Sequence, residues 1–213
     1  MGRAGWLPVI AVLDYGIGNL RSAEKALQLL GAEAALVDDP DRAAAADGVV
    51  LPGVGAFGRC AQALRSSGLD KAALCAVERG VPFLGICVGF QLLYEGSDED
   101  PTEAGLGVLA GTVRRLPEGV KRPQMQWNIL EPLASTGSGL LDGLPTPAWT
   151  YFVHSYAPER TEATSSVCQY GGAITASAER GSVWGTQFHP EKSGSVGLGI
   201  LANFVRAVAD TAA

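Results

Sequence analysis

The sequence predicts an α/β fold with a mostly parallel central sheet flanked by helices and additional mixed or antiparallel strands in the second half. Three observations predict it. Apolar strand-like runs alternate with amphipathic helical stretches through the first half, the rhythm of βαβ units. The second half changes to Val-, Trp-, Tyr- and Thr-rich runs between Gly- and Pro-bearing turns. With 213 residues, 47% hydrophobic and 18% charged, the chain can bury a sizeable core. No internal repeat or linker divides it, so residues 1–213 are expected to form one domain.

LPVIAVLDYG reads as the first strand, and NLRSAEKALQLLGA as a helix with Leu20, Ala23, Leu27 and Leu30 at helical spacing. AALVDD and DGVVLPG are short strands. GRCAQALRSSGLDKAALCAVERG gives two helical segments broken at Ser67 and Gly68, VPFLGI the next strand and VGFQLLYEG the next helix. GLGVLAGTVRRL, PQMQWNILEP, AWTYFVHSYAPE, SSVCQYGGAITASAERG and SVWGTQFHPE follow as mixed or antiparallel strands, and GILANFVRAVADTA closes the chain as a helix. SDEDPTEAG, at 97–105, reads as a solvated loop, since its acidic residues lack EF-hand spacing.

Charge and composition exclude several classes. A net charge of −6 and a pI near 4.9, with no basic run, disfavour nucleic acid and anionic membranes as partners. The opening apolar run is too short for a membrane span and has no small-residue cleavage site. Cys60, Cys75, Cys87 and Cys168 show no regular framework, so reduced thiols in the cytoplasm are expected. GIGNLR is not a full G-x-G-x-x-G fingerprint, no P-loop occurs and no zinc-ligand spacing is present, so no cofactor or metal is expected.

The stretch GICVG carries chemistry. Gly85 and Gly89 bracket Cys87 between an apolar strand and a helix-like pattern, the context of a sharp strand-to-helix turn that lifts a nucleophile out of a sheet edge. Such a turn also brings the Val88 N–H near a helix N-terminus, where it faces a developing oxyanion. From this stretch alone a structural thiol in a tight turn is an equal alternative. The other cysteines lie on helical or strand patterns and read as core or surface thiols.

A thiol nucleophile needs a base, and the chain holds two histidines. His189 is followed by Pro190 and Glu191. The residue before proline is pushed towards extended geometry, and in an extended chain positions i and i+2 face the same way. His189 and Glu191 then project together, with the carboxylate orienting the imidazole. His154, in an aromatic strand without an adjacent carboxylate, reads as a hydrogen-bonded structural histidine.

These residues together resemble the class I (triad) glutamine amidotransferases: GICVGFQLL is similar to their nucleophile elbow and FHPEKS to their His-Pro-Glu segment. More narrowly, VLDYGIGNLRSAEKAL, LPGVGAFG, PQMQWNIL and YFVHSY resemble the glutaminase subunits of imidazole glycerol phosphate synthase, from near Val9 to the C-terminal helix. The resemblance implies a single type 1 glutamine amidotransferase domain in which Cys87, His189 and Glu191 hydrolyse glutamine to glutamate and ammonia through a glutamyl thioester. It implies an oxyanion hole from the Val88 N–H and a loop N–H at Val54 or Gly55. It implies glutamine binding by Gly53, Gln91, Ser155 and Tyr156. It also implies a heterodimer with a (β/α)8 cyclase subunit, which uses the ammonia to make imidazole glycerol phosphate and AICAR in histidine biosynthesis. Asn19, Met125, Trp127, Tyr151 and Lys192 match positions at or near that interface.

Gln91 has an alternative as a solvated helix polar residue, and Trp127 as buried core. PQMQWN carries glutamines where the family commonly shows His and Gly. Two other readings of function remain: a different class I amidotransferase or Cys hydrolase, disfavoured by YFVHSY with QWN, and a non-catalytic subunit, disfavoured by the intact triad residues.

Overall fold

The structure, a computed structural model, describes residues 7–133 and 139–212. The first half runs β1 (Val9–Leu13), α1 (Leu20–Leu29), β2 (Glu33–Val37), α2 (Pro40–Ala44), β3 (Gly48–Gly53), α3 (Phe57–Ser66), α4 (Leu69–Glu78), β4 (Phe83–Cys87) and α5 (Val88–Gln91). The second half adds β5 (Gly96–Ser97), β6 (Thr112–Arg115), β7 (Gln124–Pro132), β8 (Ala148–His154), β9 (Tyr156–Pro158), β10 (Thr164–Gln169), β11 (Ala173–Arg180), β12 (Val183–Thr186) and α6 (Gly194–Ala212).

A nine-stranded sheet has the order β2-β1-β3-β4-β12-β11-β10-β7-β8. The five strands from β2 to β12 are parallel, and the rest join antiparallel. β3 and β4 are buried along their whole length, which requires cover on both faces and matches their uninterrupted apolar sequence. α1 packs on α6, while α2 and α3 pack on α4. One buried apolar cluster extends from Ile10 to Val208. Among the described residues no helix is long and apolar enough to cross a membrane.

The expected order of strands and helices in the first half is present, with differences that have physical causes. α1 buries Leu20, Ala23 and Leu27 as its spacing dictates. The helix after Cys87 is a single turn, because the carbonyls of the buried Leu92, Leu93 and Tyr94 accept from the N–H groups of Leu106, Leu109 and Gly107 instead of from a next helical turn. α2 was not expected, although Asp39 caps its first N–H groups and Pro40 opens it, a legible start signal. The second half contains an unforeseen small sheet, β5-β6-β9. AWTYFVHSYAPE is two strands: the chain leaves the large sheet at His154 and enters the small one at Tyr156, opening a cleft between the sheets. α6 starts five residues before the expected Gly199.

The parallel strands explain how distant residues meet. Gly53 at the end of β3 is in register with Cys87 at the end of β4, and β12, which leads into His189, lies on the other side of β4. Three segments thus converge at the carboxyl ends of adjacent parallel strands, where α/β sheets place their ligands.

Candidate active site

Cys87 stands at the turn from β4 into α5 with φ 55° and ψ −111°, the one positive-φ residue other than glycine among those described. Such a conformation costs about 1–3 kcal/mol and persists only where the surroundings impose it. Packing imposes it here. A Cβ on Gly85 would lie 2.8 Å from the Phe90 Cα, and one on Gly89 would collide with the Leu51 carbonyl, so β4, α5 and β3 press together only because both positions lack side chains. The glycine spacing in the sequence therefore reports a steric fact.

The loop after β3 faces this elbow and is tied down from behind. The Tyr15 hydroxyl donates to the Pro52 carbonyl at 2.7 Å, and the Cys60 thiol donates to the Val54 carbonyl at 3.3 Å. Burial pushes the Cys60 thiol up to about 11, which keeps it protonated as a donor. With the Val54 carbonyl turned onto Cys60, the planar trans peptide directs the Gly55 N–H the opposite way. Gly53 is buried beneath the loop, its Cα face against the Gly89 N and the Tyr15 hydroxyl.

His189 and Glu191 form a buried pair, Nδ1 to Oε1 2.8 Å, with side chains only 3% and 4% exposed. They meet for a different local reason from the one expected. His189 is extended (φ −98°, ψ 97°), but Pro190–Lys192 forms a 3-10 turn, and the turn rather than strand alternation swings Glu191 back under the imidazole. The turn is pinned to β8 through one residue. The His189 N–H donates to the Tyr151 carbonyl at 3.0 Å, and the Tyr151 N–H donates to Ser193 Oγ, which donates to the His189 carbonyl. Burial works against the imidazolium of His189, but the Cys87 sulfur and the Glu191 carboxylate outweigh it and lift the pKa to about 9. Its Nε2 has no hydrogen-bond partner among the described residues and is the nitrogen left for the sulfur side.

These groups share a cavity of about 260 Å³ whose walls include Val54, Gly55, Cys87, Val88, Gln91, Ser155, Tyr156 and His189. Gln91 is 3% exposed, so the solvated alternative fails; its Nε2 donates to the Tyr156 carbonyl at 2.9 Å. His154 is buried with Nδ1 2.9 Å from the Tyr156 carbonyl, as a structural histidine would be, yet it also lines the cavity. Burial pushes its pKa down to about 4.

Two polar residues at the site, one on the cavity wall and one buried against Cys87, escaped the sequence reading. Glu99, inside the stretch expected to be a solvated loop, lines the cavity and accepts the Phe57 N–H at 2.8 Å. Ser97, two residues before it in β5, is buried, so the segment turns inward where its charged sequence gives no such sign. Gln187, between β12 and His189, is fully buried and donates to Cys87 Sγ at 3.8 Å. Of the remaining cysteines, Cys168 is buried and Cys75 half-buried.

The five residues expected at an interface lie outside the cavity. Met125 and Trp127 are 61% and 48% exposed, which removes the buried-core alternative for Trp127. Trp127 is the cross-strand partner of Tyr151, their rings edge to face at 6.0 Å. Asn19 and Lys192 are exposed. Of the two unusual glutamines, Gln126 is exposed, whereas Gln124 is fully buried and donates to Cys168, on the opposite side of β7 from Met125 and Trp127.

A sequence profile described as "Glutamine amidotransferase class-I" matches residues 11–208. The "Imidazole glycerol phosphate synthase subunit HisH" of Symbiobacterium thermophilum is 48% identical over 203 residues, 94% of this chain and 95% of that protein. The HisH subunit of a Synechococcus strain is 49% identical over 205 residues, 94% of each chain. Among solved structures, one described as a glutamine amidotransferase superposes with a TM-score of 0.74 at 23% identity, covering 93% of this chain and 98% of that one. The glutaminase domain of Trypanosoma brucei CTPS with bound acivicin superposes at 0.67 and 16% identity, over 95% and 94%. At these identities the structures establish the shared fold. The profile match over most of the length and the near-complete alignment with HisH subunits establish the rest: this chain belongs to the class I glutamine amidotransferases and, within them, to the HisH family.

Proposed function

We propose that this chain hydrolyses glutamine to glutamate and ammonia and passes the ammonia to a cyclase subunit in histidine biosynthesis. The observation that carries the reading is the buried His189–Glu191 pair meeting a strained Cys87 in the same cavity. The raised pKa of His189 favours an imidazolium beside the sulfur at neutral pH, the charge state that makes Cys87 the attacking thiolate.

The thiolate adds to the side-chain amide carbon of glutamine. The oxyanion is held by the Val88 N–H, at the first residue of α5 where helix N–H groups lack intrahelical partners, and by a loop N–H at Val54 or Gly55. The tether from Cys60 to the Val54 carbonyl favours Gly55 as that donor. One such donor contributes on the order of 10² to 10³ in rate. His189 protonates the departing amine as the tetrahedral species collapses, releasing ammonia and leaving a glutamyl thioester. It then takes a proton from water, which attacks the thioester and regenerates the thiolate–imidazolium pair. Glu191 holds the Nδ1–H tautomer throughout.

Glutamine fits the rest of the cavity by charge. Glu99, the carboxylate on its wall, receives the α-ammonium group, and Gln91 with the backbone of Ser155 and Tyr156 lines the side chain's path, while Gly53 lets the loop close onto α5. The cyclase, a (β/α)8 barrel in a heterodimer with this chain, docks on the face bearing Met125, Trp127 and Tyr151 and flanked by Asn19 and Lys192. Exposed Met and Trp side chains of this kind suit the centre of an interface. The whole chain acts as one domain, in the cytoplasm, with its cysteines reduced.

Glutamate release is measured with the chain alone, with a histidine-pathway cyclase subunit, and with that subunit plus its nucleotide substrate. Strong activation in the last setting supports chemistry and partner together. Full activity indifferent to the partner keeps the triad but overturns the pathway assignment, and no activity in any setting overturns the glutaminase reading.

A further inference from the structure

Gln187 belongs neither to the Cys-His-Glu set nor to the oxyanion donors, yet it touches the sulfur. It is 0% exposed, its Nε2 lies 3.8 Å from Cys87 Sγ and its Oε1 accepts from Gln91 Nε2 at 3.0 Å. The same Gln91 nitrogen donates to the Tyr156 carbonyl at 2.9 Å.

The two ends of a carboxamide look alike in shape, so which end faces the sulfur has to be argued from the network. A backbone carbonyl can only accept, so Gln91 must present its NH2 to Tyr156. That NH2 also reaches the Gln187 side chain, whose near atom must then be the oxygen. The NH2 of Gln187 is left facing Cys87. The chain Tyr156, Gln91, Gln187, Cys87 thus runs from a fixed acceptor to a fixed donor, and each link leaves one orientation for the next.

We propose that Gln187 is a catalytic residue whose carboxamide N–H stabilises the Cys87 thiolate, and that Gln91, anchored on the Tyr156 carbonyl, is the positioning residue that turns this donor towards the sulfur. The inference rests on the reading of Cys87 as the nucleophile. A hydrogen bond to a charged acceptor in a buried site is among the stronger kinds, whereas the same N–H offers less to a neutral thiol. Gln187 therefore favours the anion selectively. Both Gln91 N–H groups are committed to this chain, so any contact it makes with glutamine runs through its Oε1.

The test is the rate at which iodoacetamide alkylates Cys87 as a function of pH, followed on the Cys87 peptide by mass spectrometry in the full-length protein. Gln187→Leu keeps the size and removes the donor. It is expected to lower the rate at neutral pH about ten-fold, with the parent rate recovered in alkali. Gln187→Glu, which places an acceptor against the thiolate, is expected to move the profile further in the same direction. Gln91→Met leaves Gln187 in place but unpinned and is expected to give a smaller displacement.

A superimposable profile for folded Gln187→Leu overturns the proposal, because a residue that only fills space beneath the elbow does not move it. Should that variant fail to fold by circular dichroism, an unmoved profile for Gln91→Met overturns it instead. Failure of the underlying reading has a separate signature: a chloroketone analogue of glutamine would then leave Cys87 of the parent protein unlabelled. Labelling of the parent together with an unmoved variant profile sinks the role of Gln187 alone.

Discussion

The end of β8 and the turn after β12 each supply one histidine to the same cavity, and the two respond to burial in opposite ways. His154 is driven down to about 4: burial opposes its charge, and the single Tyr156 carbonyl returns only part of the loss. His189 suffers the same opposition from burial but sits between the Cys87 sulfur and the Glu191 carboxylate, and it rises to about 9. Burial alone does not decide the charge state of a buried imidazole; anionic neighbours can reverse its direction. The β8 end therefore provides a neutral wall and the β12 end a proton that can be delivered.

Removing the sulfur tests this contrast most severely. Cys87→Ala is expected to abolish glutamine hydrolysis, a loss on the order of 10⁶, while fold and partner binding persist. It is also expected to lower the titration midpoint of His189, read by NMR, since the sulfur is its largest support against burial. Residual turnover above a hundredth of the parent rate would mean that another group performs the attack.

Glu191→Gln removes the second support. A loss of about 10² to 10⁴ in glutaminase rate in the complex is expected, smaller than for His189→Ala. The alkaline limb of the pH–rate profile should move to lower pH. In the parent that limb is expected near 9, where the imidazolium needed by the leaving amine is lost. The folded state favours this imidazolium, so its contribution to stability is complete below 6.5 and fades as the pH climbs through about 9. An unmoved limb in Glu191→Gln would give the whole effect to Cys87.

The smallest effect expected is on stability and belongs to His154. Unfolded, it protonates near 6.5; folded, only near 4. Between those values the unfolded chain binds more protons, and stability falls as the pH drops, by about 3 kcal/mol at pH 4 from this residue. Urea unfolding across that range should be flatter for His154→Gln by a comparable amount. Equal slopes would show that the charged His154 finds a partner on acidification, and would break the contrast with His189.

Much of this arrangement was legible before any coordinates. The glycines around Cys87, the strand before it and the His-Pro-Glu triplet each encode a local constraint: a steric limit at Gly85 and Gly89, an apolar strand buried on both faces, a backbone held extended before Pro190. Where local rules met a tertiary demand, the demand won. The helical pattern after Gly89 stops after one turn because its carbonyls pair with the 106–109 segment, and Glu191 reaches His189 by a turn. Glu99 and Gln187 carry no local signal, being ordinary polar residues in a charged loop and at a strand end. Only their neighbours in space make them part of a site.

The sequence by itself determined the alternation of strands and helices in the first half apart from α2, the sharp turn at Cys87 and the closeness of an imidazole to a carboxylate two residues away, because sterics and hydrophobic period act over a few residues. The tertiary structure alone decided that these pieces face one another. Register between β3, β4 and β12 aligns the loop, the sulfur and the imidazole at one sheet edge, and the parting of two sheets at Ser155 opens the cavity between them. The charges of the two histidines follow from that meeting, since an electrostatic neighbour acts through distance in space and takes no account of separation along the chain.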